Sequence, residues 1–371
     1  MGKKTLLLFI TACMALAFSV GGCGAKAKTV TTEPKKRIRE SGEIFFFPAL
    51  PNTPRFQYLT TFSTSKDIEK KKGKLFRFVA GDEEEKPIPI IKPYGVDIYD
   101  GIIYVCDVKV GVVKTLDLKN RSLGIIGYKG RGKLRKPANV FIDKTAKLLY
   151  VADVARRQVV VFNLKGNFRR AYGKQGEFAG PSDVALHGDR MYICDVRGHQ
   201  IHVVNRETGK LLFNIGKAGS HEGEFYHPTN IDIQNDRLYV SDSTNFRIQI
   251  FTLEGKFIAA FGKAGRRPGE FARNKGIAVD KEGRIYVVDS AFQNVQVFNK
   301  EFKLLLYMLG PGNDPHSINL PAGIAIDYDN IQYFKKYISP QFDPEYLLFV
   351  TSNFGLNKVN VYAFGNYKSQ K

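Results

Sequence analysis

Hydrophobic and polar positions alternate along most of this chain in short runs broken by glycine, proline and asparagine, the period-two pattern of brief β-strands. One run recurs almost intact: Tyr104-Val105-Cys106-Asp107, Tyr150-Val151-Ala152-Asp153, Tyr192-Ile193-Cys194-Asp195, Tyr239-Val240-Ser241-Asp242, Tyr286-Val287-Val288-Asp289 and, degraded, Phe349-Val350-Thr351-Ser352. A third strand follows at fixed offset, as in Ile248-Gln249-Ile250-Phe251 and Val295-Gln296-Val297-Phe298. A fourth closes the first five units at Gly127, Gly173, Gly216, Gly262 and Gly310. Each unit therefore predicts four short strands.

The first strand of each unit opens on Pro-x-[Gly/Asn/Asp]-[Val/Ile]: Pro93-Tyr94-Gly95-Val96, Pro137-Ala138-Asn139-Val140, Pro181-Ser182-Asp183-Val184, Pro228-Thr229-Asn230-Ile231, Asn274-Lys275-Gly276-Ile277 (Asn for Pro) and Pro321-Ala322-Gly323-Ile324. The spacings of 44, 44, 47, 46 and 47 residues are those of four-stranded propeller blades. The expectation is an all-β, six-bladed β-propeller, with blades starting near 93, 137, 181, 228, 274 and 321. The sixth unit lacks a fourth strand of its own. Residues 55–63 align with the fourth strand of the fourth unit, so an N-terminal strand is expected to close the last blade and remove the open edges.

These units resemble NHL repeats, and the chain resembles the six-bladed NHL propellers of bacterial envelope lipoproteins over about residues 55–365. Trp is absent, which excludes the Trp-Asp propeller signature. The pattern departs at Asn274 and Ser352.

The N-terminus carries an address. Met1-Gly2-Lys3-Lys4 is a short basic start, Thr5 to Val20 is mostly apolar, and Val20-Gly21-Gly22-Cys23 resembles a bacterial lipobox. Residues 1–22 then read as a lipoprotein signal peptide, Cys23 as the acylated residue, 23–43 as a flexible tether and 44–371 as the propeller. Gly24 after the cysteine resembles lipoproteins sent to the outer membrane, on either its periplasmic or its surface side. The charged stretch 69–86 reads as a solvated loop.

Candidate chemistry follows from what repeats and what does not. The Asp ending each second strand recurs in five units, which assigns it a structural role as an acceptor of backbone N–H groups. Cys106 and Cys194 sit at equivalent points of different blades and read as small buried side chains. Asymmetry marks function instead. The residues preceding each opening motif are Lys92, Lys136, Gly180, His227, Arg273 and Leu320, which predicts a basic rim around the channel. Arg156, Arg157 and Arg197 extend it, with Lys133, Arg135, Arg266 and Arg267 nearby. The formal charge of +20, or +18 without Lys3 and Lys4, predicts attraction to an acidic protein, an anionic glycan or lipopolysaccharide. Some cytoplasmic NHL propellers bind RNA through such a face, but a lipid-anchored body is not expected to meet nucleic acid. An insertion between Pro321 and Ser352 carries Tyr328, Tyr333, Phe334, Tyr337, Phe342 and Tyr346, and suits either a protein contact or a loop folded back on its blade.

The favoured reading is a binding or assembly module without a cofactor. The alternative is a metal-dependent lyase or lactone hydrolase at the central channel. Six-bladed propellers of that kind gather oxygen ligands for calcium, and here Asn139, Asp183 and Asn230 occupy the corresponding inner-strand positions. A three-histidine zinc site is poorly supported, since His187, His199, His202, His221 and His316 do not recur in register with His227. There is no Gly-x-Ser-x-Gly elbow, and the glycine-rich loop 262–269 precedes a strand rather than a helix.

Overall fold

A computed structural model describes residues 44–69, 86–174 and 176–368. The signal segment, Cys23 and the tether lie outside the described residues, as does most of the charged stretch 69–86. Two strands come first, β1 (Phe46–Phe47) and β2 (Phe56–Phe62). Blade one holds β3 (Pro93–Tyr99), β4 (Ile102–Asp107), β5 (Val112–Asp117) and β6 (Ser122–Ile126). Blade two holds β7 (Pro137–Asp143), β8 (Leu148–Asp153), β9 (Gln158–Asn163) and β10 (Phe168–Tyr172). Blade three holds β11 (Pro181–His187), β12 (Arg190–Asp195), β13 (Gln200–Asn205) and β14 (Leu211–Ile215). Blade four holds β15 (Pro228–Gln234), β16 (Arg237–Asp242), β17 (Arg247–Thr252) and β18 (Phe257–Phe261). Blade five holds β19 (Asn274–Val279), β20 (Ile285–Asp289), β21 (Asn294–Phe298) and β22 (Leu304–Met308). The last sheet combines β23 (Pro321–Asp327), β24 (Phe342–Ser352) and β25 (Val359–Tyr367) with β2 and β1, in the order β1-β2-β25-β24-β23.

Each blade is antiparallel in chain order, and every innermost strand packs on the next, including β23 on β3. Each innermost strand starts at the Pro or Asn of its opening motif. Strand β2 pairs antiparallel with β25, setting Phe56 opposite Phe364 and Phe62 opposite Val359. The core is a set of clusters between neighbouring blades rather than one centre. Cys106, Val113 and Ile126 of blade one meet Val140, Val151, Val160 and Phe162 of blade two. Burying each large apolar side chain contributes about 1.5–3 kcal/mol. Cys106 and Cys194 are free and buried, as their repeat position implied.

The inter-blade loops are sealed the same way each time. Phe178, Phe225 and Phe271 are buried under Gly173, Gly216 and Gly262. Those glycines have φ of +97°, +77° and +91°, and a Cβ on any of them would strike the ring beneath.

The repeat aspartates do more than close a turn. Asp153 accepts N–H bonds from Arg135 (2.7 Å) and Lys136 (2.9 Å) in the loop before its own blade, and from Ala155 (3.1 Å) and Arg156 (3.0 Å) in the turn after β8. Asp289 repeats this with Ala272, Arg273, Ala291 and Phe292. In the last blade Ser352 keeps a single bond, accepting the Asn319 N–H at 3.2 Å.

The insertion 328–341 folds back. Phe334 is fully buried and contacts Phe62 and Phe349 edge-on, while Tyr333 and Tyr337 pack on the same cluster. Phe342 and Tyr346 are buried in β24. Of the two uses foreseen for these aromatics, packing on the chain's own blades is the one adopted.

Removing a clamp should therefore cost far more than removing its remnant. Asp153→Ala strands buried N–H groups and is expected to lower the unfolding free energy by about 3–5 kcal/mol, against about 1 kcal/mol for Ser352→Ala. Urea unfolding followed by circular dichroism reads both, and equal losses would contradict the clamp.

Candidate functional site

The clamp brings two kinds of loop to one end of the propeller: the connections between blades and the turns between second and third strands. Lys92, Lys136 and Arg273 donate their backbone N–H groups to Asp107, Asp153 and Asp289 at 3.1, 2.9 and 3.1 Å. Their side chains are exposed, as are those of Arg157 and Arg197. His227 departs from the pattern, because its N–H donates to His199 Nδ1 at 3.0 Å and the two rings lie 4.6 Å apart between centroids. His199 is further stacked on Tyr226, and burial together with the His227 charge holds it below the usual imidazole range. Leu320, the apolar rim residue, donates its N–H to Gln293 Oε1.

Arg156 is less free than its neighbours. Its Nη1 donates to the carbonyls of Arg131 (3.0 Å) and Lys133 (2.8 Å), and its Nε to Gln158 (2.9 Å). It braces the loop that carries Lys133 and Arg135. Together these residues line a cleft of about 480 Å³ with Arg157 and Lys174, over a floor of Gly130, Gly173, Gly176 and Gln158. Among the described residues the lining contains five cations and no carboxylate.

Inside the channel, the third residue of each opening motif makes the ring. In blades five, six and one it is Gly276, Gly323 and Gly95, where a Cβ would overlap Ala322 O, Tyr94 O and Asn139 respectively. In blades two to four it is Asn139, Asp183 and Asn230. Asp183 accepts from Asn139 Nδ2 (2.7 Å), Asn230 Nδ2 (3.1 Å) and the N–H groups of Val184 (2.7 Å) and Ile231 (2.9 Å). The proposed calcium trio is thus brought together. Its donor set fits an inter-blade staple better than a hard cation, since both carboxylate oxygens already receive N–H donors and only Asn230 Oδ1 is unpartnered. Among the described residues no group of three or more His, Cys, Asp and Glu side chains converges in metal-binding geometry.

Two further staples escape a reading of the motif alone. Asp97 accepts from Ile98 N and, across to blade two, Ile142 N (2.9 Å). Asp232 accepts from Ile233 N and, across to blade five, Val279 N (2.6 Å). Burial pushes Asp97 and Asp183 up to about 7 and Asp232 up to about 6, with the N–H donors pulling the other way.

The second residue of each motif carries a further asymmetry. It is small in four blades, Ala138, Ser182, Thr229 and Ala322, and large in two, Tyr94 and Lys275. The Lys275 ammonium lies 5.1 Å from the centroid of the Tyr94 ring. Burial, then the charges of Arg273 and Lys92, depress Lys275 to about 8. The signal for this pair was present as a size asymmetry at one motif position.

Comparison with known proteins agrees with the architecture. A family model described as a 6-bladed beta-propeller (DUF5128) matches residues 227–305, which hold blade four and most of blade five. Among curated proteins no match to the sequence is found. A structure of unknown function from Bacteroides thetaiotaomicron is similar with TM-score 0.58 at 14% identity, covering 83% of this chain and 75% of that one. Virginiamycin B lyase from Staphylococcus aureus is similar with TM-score 0.52 at 12% identity, covering 74% of this chain and 96% of that one. A streptogramin B lyase structure gives TM-score 0.50 at 13% identity, covering 74% and 94%. At these identities the likeness shows the fold alone.

The channel carboxyls predict a pH effect. A carboxyl whose pKa is higher in the folded chain contributes stability that is complete below the unfolded value, about 3.9, and lost as pH rises through the folded one. For Asp232 that window closes near about 6. The stability advantage of the native chain over Asp232→Asn should therefore shrink by about 1–2 kcal/mol between about pH 4.5 and 7.5. Urea midpoints across that range test it, and a constant or widening gap would contradict the burial of this carboxyl.

Proposed function

We propose that this chain is a lipid-anchored, extracytoplasmic NHL-type propeller that serves as a binding or assembly module. Acylation at Cys23 tethers it to the bacterial cell envelope, at the outer membrane, and the N-terminal strand acts as the ring's closure. Its contact surface is the inter-blade face, and its partner is an acidic protein or an anionic glycan such as lipopolysaccharide. The observation that carries this reading is the cleft of Lys133, Arg135, Arg156, Arg157 and Lys174, five cations without a carboxylate among its described residues, on one side of a structurally repetitive ring. Lys136, Arg197, Arg273 and Lys92 continue the same potential around the face. Clefts lined by one sign of charge focus field and raise the local concentration of oppositely charged partners.

Such binding is steered by charge and weakens with salt. Retention of the full chain on heparin-agarose and on immobilised lipopolysaccharide provides the test. Lys133→Glu with Arg157→Glu should lower the eluting salt concentration clearly more than Lys256→Glu with Lys303→Glu, which changes net charge equally on exposed lysines elsewhere. Equal effects of the two pairs would reduce the cleft to general surface charge. Cys23→Ser should move the chain from the membrane to the soluble fraction, and continued membrane association would overturn the anchor.

A further inference from the structure

We propose that the mouth of the central channel is a pocket for a dianionic oxyanion, a phosphate-type group, held by Lys92, Arg273 and Lys275 over the Tyr94 ring. The proposal rests on the reading of the inter-blade face as the contact surface and names what that face recognises at its centre.

The fold brings the cations together. At the second motif position four blades carry the small residues Ala138, Ser182, Thr229 and Ala322, and Ala138, Ser182 and Ala322 are buried in the wall. Ser182 Oγ turns back to the Cys194 carbonyl and Thr229 Oγ1 to the Lys275 carbonyl, which satisfies both hydroxyls within the wall. Only blades one and five project anything large. Tyr94 stands two residues after Lys92 in blade one, and Lys275 two residues after Arg273 in blade five. Lys275 reaches from blade five to the Tyr94 face.

The charges require a counterpart. Among the described residues none of Lys92, Arg273 and Lys275 forms an ion pair, although Lys114, Lys144, Arg206, Arg247 and Arg284 all do. Lys275 is half-buried, and an ammonium withdrawn from water is ordinarily paired or displaced in pKa. Here its support is an aromatic face, which attracts a cation but cannot neutralise it. Two neighbouring cations press on it from Arg273 and Lys92. An oxyanion seated among the three would replace repulsion with charge-assisted hydrogen bonds, for which guanidinium and ammonium donors are suited. Three cations, one of them easily discharged, match two negative charges better than one.

The test is titration of the full chain, in detergent, with inorganic phosphate at constant ionic strength, followed by calorimetry. Saturable binding at one site is expected. Lys275→Met should weaken it by about tenfold or more, the loss typical of one charged hydrogen-bond donor. Lys92→Gln, an exposed change that keeps the fold, should weaken it by a smaller factor, and Lys256→Gln should leave it unchanged. Phosphate should also protect Lys275 from acetylation by acetic anhydride, read by peptide mass spectrometry, which a purely structural lysine would not show. Phosphatidylcholine vesicles with and without phosphatidic acid separate a lipid headgroup from a free phosphate as the source. No saturable phosphate binding, or binding indifferent to Lys275→Met and Lys92→Gln, overturns the pocket. If heparin and lipopolysaccharide retention still depend on Lys133 and Arg157, the pocket fails alone and the binding face stands. Phosphate binding with retention indifferent to those residues would instead bring down the wider face and leave the pocket.

Discussion

A buried carboxylate that receives N–H groups from two loops at once is the constraint on which the other features depend. Asp153 and Asp289 each hold four backbone N–H groups, two from the loop entering the blade and two from the turn after its second strand. No other short side chain offers two oxygens with enough acceptor capacity for that geometry. The remaining blades add side-chain partners. Asp107 takes the buried Lys114 ammonium at 2.8 Å, Asp195 takes His202, and Asp242 takes Arg247 and Gln249. The balance between burial and these donors differs from blade to blade. For Asp107 and Asp195 the donors win and the carboxyl falls below its usual range, whereas for Asp242 burial wins and it rises. The rim side chains inherit their positions from this clamp, because the clamped N–H groups belong to Lys92, Lys136, Gly180 and Arg273 themselves.

The ring is closed around its axis by two unlike devices. Across blades five, six and one, glycine at the third motif position lets neighbouring backbones approach more closely than any Cβ allows. Across blades two, three and four, an Asn-Asp-Asn bridge replaces close approach with hydrogen bonds centred on Asp183. One half of the channel wall is therefore held by close backbone approach, the other by side-chain hydrogen bonds to a buried carboxyl. The Tyr94 and Lys275 side chains both leave the glycine half. Their size is accommodated because the second-position residues elsewhere are small.

The sequence made the period, the strand order within a blade and the role of the repeat aspartate legible, because each is written locally: alternation within a strand, a motif at its start, a turn residue at its end. The free cysteines were readable for the same reason, since two equivalent positions in separate blades cannot meet. What escaped was pairing through space. Asp97 with Ile142 and Asp232 with Val279 join residues 45 and 47 apart, one blade on, and nothing in either local pattern distinguishes such a bridge from a solvated carboxyl. His199 and His227 belong to different motif positions, so a search for histidines in register passed over a pair in ring contact. Arg156 counted as a free cation by composition, yet two carbonyls and a glutamine engage its guanidinium.

The cations at the channel mouth and cleft are not demands of the fold, and the repeat itself demonstrates this. Where blade five has Lys275, four other blades have Ala, Ser or Thr; where blades one and five have Lys92 and Arg273, blade three has Gly180 and blade six Leu320. Gly180 occupies the same clamped backbone, so a neutral ring would close as well. Like charges held near one another cost stability, more so where burial lowers the local dielectric. The ordinary remedy is a neighbouring carboxylate, and this chain applies it freely elsewhere, as Lys114 with Asp107 and Arg284 with Asp280 attest. Among the described residues it does not do so at Lys92, Arg273 or Lys275. A cost that the architecture does not impose, and that a single substitution in any of three places would relieve, is most simply offset by something negative that arrives from outside.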